Sequence, residues 1–230
     1  MIKKLDWDSL FFGKQIAEYV FDNQNVENLD VSYDLIYVLS KTECEIKFKG
    51  YHQTYKENKV IYFKNDLTYN DLNSENILSF SGTLFSREEL YNLSLESGKY
   101  SRFKCDKNFT AEQFENLYKK WIDNSLDFNF AEDVLVYLVD DKIAGFVTYK
   151  INNEQGVIGL IAVLPNQQGK GIGKKLIQFV ENKLIKSNIR ILSISTQKEN
   201  IEACSFYEKL GYEIKDSLII KHFWRYDSIQ

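Results

Sequence analysis

Proline, histidine and cysteine are scarce in this chain of 230 residues, and the scarcity excludes several function classes. Cys44, Cys105 and Cys204 are odd in number and far apart, so they make neither a disulfide framework nor a zinc site. Only His52 and His222 could join them, and no metal is expected. Scattered thiols suit a reducing, cytoplasmic compartment. No apolar run approaches a membrane span, and the start MIKKLDWDSL has no secretory apolar region. A net charge of −4 argues against broad nucleic-acid binding. A P-loop, G-x-x-x-x-G-K-[ST], is missing, and so is the full G-x-G-x-x-G of a dinucleotide fold.

What is present suits a well-filled core: 44% of residues are hydrophobic, with 15 Tyr and 16 Phe. The length allows one large domain or two small ones. The most informative stretch is 159–173, GLIAVLPNQQGKGIG. It reads as a buried strand, then the single proline, Pro165, then a glycine turn that opens a basic helix. Gly-x-Gly lets a ligand approach the backbone. The helix offers unpaired N–H groups and the positive end of its dipole. Ile172, Leu176, Phe179, Val180 and Leu184 share one helical face, while Lys170, Lys174 and Lys175 crowd the first turn. Lysines there are electrostatically unfavourable unless an anion joins them. A phosphate-bearing ligand is expected.

A second motif follows a predicted strand at 190–196. Asn200 is a natural N-cap, Ala203, Phe206, Tyr207 and Leu210 share a stripe, and Gly211 is a natural stop. A short amphipathic helix with an aromatic core face accounts for Phe206 and Leu210, though less well for the other residues. Q-x-x-G-x-G (Gln168, Gly171, Gly173) followed by N-x-x-A-x-x-F-Y-x-x-x-G (Asn200, Ala203, Phe206, Tyr207, Gly211) resembles the GNAT N-acetyltransferases, which use acyl-CoA.

The resemblance implies an α/β chain with the GNAT acyl-CoA N-acyltransferase fold, a mixed central sheet flanked by helices, and acetyl-CoA as cosubstrate. It places the pyrophosphate on Gln168, Gly169, Lys170, Gly171, Ile172, Gly173 and Lys174. The pantetheine arm would run along Ile161, Ala162 and Val163, where two parallel strands splay, with Asn200 and Ala203 beside it. Tyr207 would protonate the leaving thiolate or stabilise it by donation. Backbone N–H groups around Ala162 and Val163 would hold pantetheine and the oxyanion. The base stays unnamed; Glu132 and Asp133 are carboxylates in the expected region, and a water chain would serve as well.

Capping boxes at Ser86/Glu89 and Thr110/Gln113 predict helices over 86–97 and 110–126. Strands are expected at 134–139 and 142–151 around Asp140-Asp141, then at 157–164 and 217–226. A GNAT domain over 86–230 would thus lack its usual first strand. Residues 1–65 read as a truncated GNAT-like half, a faded copy of the last forty. Leu35 to Lys41 parallels 191–198, a short helical segment would end at Lys49-Gly50-Tyr51, and 59–66 parallels the closing strand. Residues 14–21 are a candidate for the missing strand, and 66–85, rich in Asn, Asp and Ser, read as a linker.

Within the GNATs the chain resembles the dTDP-fucosamine acetyltransferase family, which acetylates nucleotide-linked amino sugars. The resemblance rests on Leu5-Asp6-Trp7, Phe11-Phe12-Gly13, Ser101-Arg102-Phe103, Trp121-Ile122 with Asn124, and Ser195-Thr196-Gln197. It implies a nucleotide-sugar acceptor. Arg102 could grip a diphosphate and Phe103 could stack on a sugar or base. A surface Arg and a core Phe remain the open alternative. Phe11-Phe12-Gly13 is expected to pack between the halves, and His222 and Trp224 to be core or rim residues. Acetylation of a protein or small-molecule amine stays open, as do a non-catalytic CoA-binding module and a homodimer.

Overall fold

The computed structural model describes residues 2–21, 32–82 and 84–228. The chain runs β1 (Ile2–Lys4), α1 (Asp6–Phe12), β2 (Ile16–Val20), β3 (Leu35–Ser40), β4 (Tyr51–Lys64) and β5 (Ile77–Ser79). It continues through α2 (Arg87–Ser97), α3 (Arg102–Cys105), α4 (Ala111–Leu126), β6 (Asp133–Val139), β7 (Lys142–Asn152) and β8 (Gln155–Val163). Then come α5 (Ile172–Lys186), β9 (Ile191–Gln197), α6 (Ile201–Lys209) and β10 (Glu213–Arg225).

Local chemistry sets many of these boundaries. Ser86 and Thr110 cap α2 and α4, and both capping boxes close with Glu89 and Gln113. Asp140 and Asp141 both have positive φ, which matches the twist of a tight β6–β7 hairpin. Asn200 caps α6 by accepting from the Ala203 N–H at 3.2 Å.

The ten strands form one mixed sheet in the order β1-β2-β3-β10-β4-β9-β8-β7-β6-β5. β4 and β10 lie side by side at its centre, antiparallel along most of their length. Outward from this pair the pattern repeats on both sides. β3 is antiparallel to β10, as β9 is to β4. β2 runs parallel to β3, as β8 does to β9. β1 is antiparallel to β2, as β7 is to β8. The N-terminal strands therefore mirror β7 to β10 about a pseudo-twofold axis, and each half lends a long strand to the other.

Three expectations fail. Residues 14–21 do supply a strand, β2, but it lies between β1 and β3, on the far side of the sheet from β6. The strand beside β6 is β5, within the stretch expected to be a linker. No helix precedes Lys49-Gly50-Tyr51, because residues 43–48 are irregular and β4 begins at Tyr51. That segment is too short to pay helix nucleation without a strong apolar stripe. The stretch after β4 is also pinned: Glu181 of α5 accepts from Lys64, Asn70 and Tyr212, and Asn182 exchanges hydrogen bonds with the Asn70 backbone.

α5 and α6 cover one face of the sheet, with Leu176, Ile177, Val180 and Leu184 packed against Val60, Tyr62 and Leu192. On the other face α4 joins Phe12, Phe103, Phe109 and Trp224 in a mostly aromatic cluster.

β8 and β9 part company partway along. Their parallel pairing ends at Ile158/Ile194, while β8 stays paired to β7 through Val163 and β9 to β4 through Gln197. A bulge marks the divergence. Between Tyr149 and Val147 the β7 strand takes two steps, where β8 takes three from Ile158 to Ile161. The Leu160 N–H donates to Thr148 Oγ1 at 2.9 Å. A Cβ at Gly159 would lie 2.7 Å from that oxygen, so the bulge needs glycine there.

Thr148→Val removes the acceptor while keeping shape and β-propensity. It should cost about 1–3 kcal/mol by leaving the Leu160 N–H unpaired. Chemical denaturation of both proteins measures this, and equal stability would show that the hydroxyl does not hold the bulge.

Candidate active site

The parting of β8 and β9 opens a cleft of about 1020 Å³ that passes from one face of the sheet to the other. Strand alternation decides which backbone groups look into it. The Leu164 N–H bonds the Ala144 carbonyl at 2.8 Å, so Ala162, two residues back, also pairs toward β7. Ile161 and Val163 therefore turn their N–H and C=O groups toward the gap. This corrects the expectation for Ala162: the residue borders the cleft, but its N–H does not face it.

Beyond β8, Gly169 and Gly171 have φ of 76° and 78°. The Gln168 amide bonds back to the Val163 carbonyl at 3.1 Å and braces the turn. Gly171 is the N-cap of α5 and supplies no side chain to cap it, so the first N–H groups of the helix stay open. A Cβ at Gly171 would meet nothing within 4 Å. Gln168, Gly169, Gly171, Ile172, Gly173 and Lys174 all line the cleft. Lys170 does not, because its ammonium turns to Gln167 at 2.8 Å. The open backbone at the turn and along β8 fits a pyrophosphate and an extended amide-bearing arm.

Asn200 and Ala203 line the same end of the cleft. Asn200 Oδ1 serves the cap, which leaves its amide N–H₂ for a ligand. Tyr207 is packed against Tyr62, with ring centroids 5.6 Å apart, and reaches the cleft. Burial pushes its phenol well above the usual range, and Cys204 adds to the shift. It stays protonated, and its hydroxyl has no hydrogen-bond partner among the described residues. It can act as a donor.

On the other face the cleft meets Trp7, Asp8, Glu57, Lys59, Arg102, Phe103, Tyr118 and Trp121. Arg102 begins α3, capped by Ser101. Its guanidinium lies over the Tyr37 ring at 4.0 Å and the Phe103 ring at 4.7 Å. It makes no ion pair among the described residues. Phe103 is buried in the aromatic cluster and shows only part of itself to the cleft, so it is chiefly a core residue.

Asp106, just past α3, fixes this arrangement. It accepts from His222 Nδ1 at 2.6 Å, Trp224 Nε1 at 2.9 Å, and the Asn108 backbone and side chain. Burial depresses His222 to about 4, against the pull of Asp106, so the ring is neutral at pH 7. His222 and Trp224 are core residues that anchor the end of α3 to β10. Phe12 packs on Phe103 and Phe109, and Trp7 stacks on Phe11 at 5.1 Å.

Glu132 and Asp133 lie elsewhere. Glu132 is exposed, and Asp133 is held by Lys183 and Ser79, two strands away from the parted pair. The sequence reading missed Glu57 and Lys59 as site residues. They sit two apart on β4 and so share the face opposite Val60 and Tyr62. A charged i, i+2 pair in a strand that continues into the core was the available signal, but the strand was expected to start only at residue 59. Burial lowers the Lys59 pKa, with Arg102 adding to the effect, and Lys59 makes no ion pair among the described residues.

A family profile described as the acetyltransferase (GNAT) family matches residues 89–212, more than half of the chain. The chain belongs to this family of acetyltransferases. Among curated relatives, the spore coat polysaccharide biosynthesis protein SpsD of Bacillus subtilis (strain 168) is 23% identical over 137 residues, or 60% of this chain. The match spans 47% of SpsD, about half its length. Acetyltransferase SG1711 of Sodalis glossinidius (strain morsitans) is 29% identical over 110 residues, 46% of this chain and 78% of its own. A GNAT-family structure from Novosphingobium aromaticivorans covers 86% of this chain and 77% of its own, with a TM-score of 0.57 and 13% identity. That likeness is one of fold. No helix among the described residues is long and apolar enough to cross a membrane.

Gly171→Val puts a β-branched residue at positive φ in the space left for the ligand. It should raise the acetyl-CoA Kd more than tenfold, about 1.4 kcal/mol or more. Calorimetry on a folded variant measures this, and unchanged binding would remove the pyrophosphate from this turn.

Proposed function

We propose that this protein transfers the acetyl group of acetyl-CoA to the amine of a nucleotide-linked amino sugar, by direct attack with both substrates bound. The observation that carries the reading is the pair of unpaired cations, Arg102 and Lys59, at the acceptor end of the cleft. A guanidinium fixed over an aromatic ring presents its fork to a diphosphate at little entropic cost. Lys59 adds a second positive charge on the same wall. Trp7 and Trp121 offer flat apolar surface for a sugar or base. SpsD carries a name from polysaccharide biosynthesis, where activated sugars are the building blocks, and this supports the same class of acceptor.

The residues divide the work. The turn at Gln168 to Lys174 and the first N–H groups of α5 hold the pyrophosphate. Ile161 and Val163 pair with the pantetheine arm and place a backbone N–H near the thioester oxygen, where negative charge develops. Asn200 offers its amide to the same arm. Tyr207 donates to the sulfur as the carbon–sulfur bond breaks. Its raised pKa makes full proton transfer to a thiolate uphill, so its role is hydrogen-bond donation to the leaving group.

Acetyl-CoA turnover should be screened against dTDP- and UDP-amino sugars, polyamines and peptides, with dTDP-4-amino-4,6-dideoxygalactose first. Arg102→Ala should raise KM for the sugar nucleotide about 10–100-fold, as expected for a lost charge-assisted contact. It should leave KM for acetyl-CoA nearly unchanged. Ready turnover of peptides or polyamines with none of any nucleotide sugar would overturn the substrate class. Tyr207→Phe should keep acetyl-CoA affinity and lower kcat by about 10²-fold. Wild-type kcat under conditions where chemistry limits would reduce Tyr207 to a core aromatic.

A further inference from the structure

We infer that Glu57 is the base that takes the proton from the attacking amine. The inference rests on the acetyl-transfer reading above but not on the identity of the acceptor.

Glu57 is only 3% exposed, yet it lines the cleft, and its Oε2 has no hydrogen-bond partner. A buried carboxylate oxygen left unpaired is costly unless a ligand completes it. The partner that completes it must donate, and an amine donates. Three other carboxylates line the cleft, Asp8, Glu96 and Glu202. They belong to α1, α2 and α6, and all are open enough for water to serve them. Glu57 alone stands on the sheet beside the parting strands. Its neighbour Asn58 accepts from the Lys198 N–H at 2.7 Å, and Lys59 pairs with Gln197 at the end of β9.

The sheet also separates the two ends of the reaction. Val60 and Tyr62 face α5 and α6, and Tyr207 packs on Tyr62. Glu57 faces the opposite side with Arg102 and Tyr118. An acetyl group lying in the gap would therefore have the thiolate donor on one side and the carboxylate on the other. That is the disposition required when nitrogen enters as sulfur leaves.

Protons and electrons balance. The neutral amine attacks the thioester carbon and a carbon–nitrogen bond forms. One proton passes from that nitrogen to Glu57. The electron pair of the carbon–sulfur bond leaves with sulfur, steadied by Tyr207. Glu57 then returns its proton to water through the open cleft, and the released thiolate is protonated in solution.

The charged and titratable neighbours of Glu57 are Arg102 and Cys105 on α3, Tyr55 and Lys59 on β4, Glu199 before α6, and Tyr118 on α4. Burial raises the Glu57 pKa, while Arg102, Lys59 and the Gln197 amide pull it down and Glu199 pushes it up; the net direction is upward. A carboxylate raised in this way is, once ionised, a stronger base than an ordinary glutamate.

The test measures thiol release with whichever amine from the panel turns over fastest, so a failed sugar assignment leaves it intact. Glu57→Gln should lower kcat about 10²–10⁴-fold. Acetyl-CoA affinity by calorimetry should be unchanged. The wild-type pH–kcat profile should carry an acid limb that lies above an ordinary glutamate and is missing in Glu57→Gln. Glu57→Asp should retain the limb at reduced rate. A Glu57→Gln protein with kcat within twofold of wild type, or with the acid limb intact, would overturn the inference.

Discussion

The site depends on a refusal to pair. A sheet holds together because each buried backbone group meets a partner on the next strand. β8 and β9 abandon that rule after Ile158 and Ile194, and the bulge at Gly159 and Leu160 makes the departure permanent. Thr148 supplies one missing acceptor from its side chain. Ile161 keeps both its groups and Val163 its N–H facing an opening, where a ligand with amides of its own can complete them, while the Gln168 amide serves the Val163 carbonyl. The uncapped start of α5 follows the same logic, since its open N–H groups are tolerable because an anion can reach them.

The opposite face of the cleft is assembled differently. Its charged groups stand on β4, α1, α2 and α3, and none belongs to the glycine turn or its helix. Asp106 gathers hydrogen bonds from His222, Trp224 and Asn108, and so ties the short α3 to a central strand. Four residues are too few to hold a helix in place by themselves. The buried carboxylate and the Tyr37 ring beneath the guanidinium hold Arg102 in place at the cleft. The residues before α2 thus line the cleft together with those after it.

Local signals in the sequence were read well where they were self-contained. The two capping boxes, the Asp140-Asp141 turn, the glycine turn and the Asn200 cap are decided within a few residues, and each element formed where those signals put it. The fold class followed from two motifs in order. What the sequence hid were the features that depend on strand neighbours. Nothing local says that β4 lies between β10 and β9, so Glu57 and Lys59 were not seen as facing the cleft. For the same reason residues 14–21, expected beside β6, pair with β1 and β3 on the far side of the sheet, and β5 takes that place. The Lys170 ammonium meets a glutamine three residues back, a contact that the helix-start pattern does not announce. Among the described residues no loop chemistry could have placed Asp106 beside His222, since 116 positions separate them.

The interleaving of the halves also bears on how the chain becomes folded. Ser40 pairs with Ile219 and Leu35 with Trp224, so β3 cannot find its antiparallel neighbour until nearly the whole chain has been synthesised. β4 must then enter between two strands made long after it. Pairings over such distances close slowly, because the loop entropy is spent before any contact rewards it. In the meantime long, apolar strand edges are bare. A fragment beginning at α2 would carry both family motifs and still leave β9 and β10 without the strand that joins them. Such a piece would tend to pair with another copy of itself, and the intact chain is at the same risk for as long as its first half waits for its last strand.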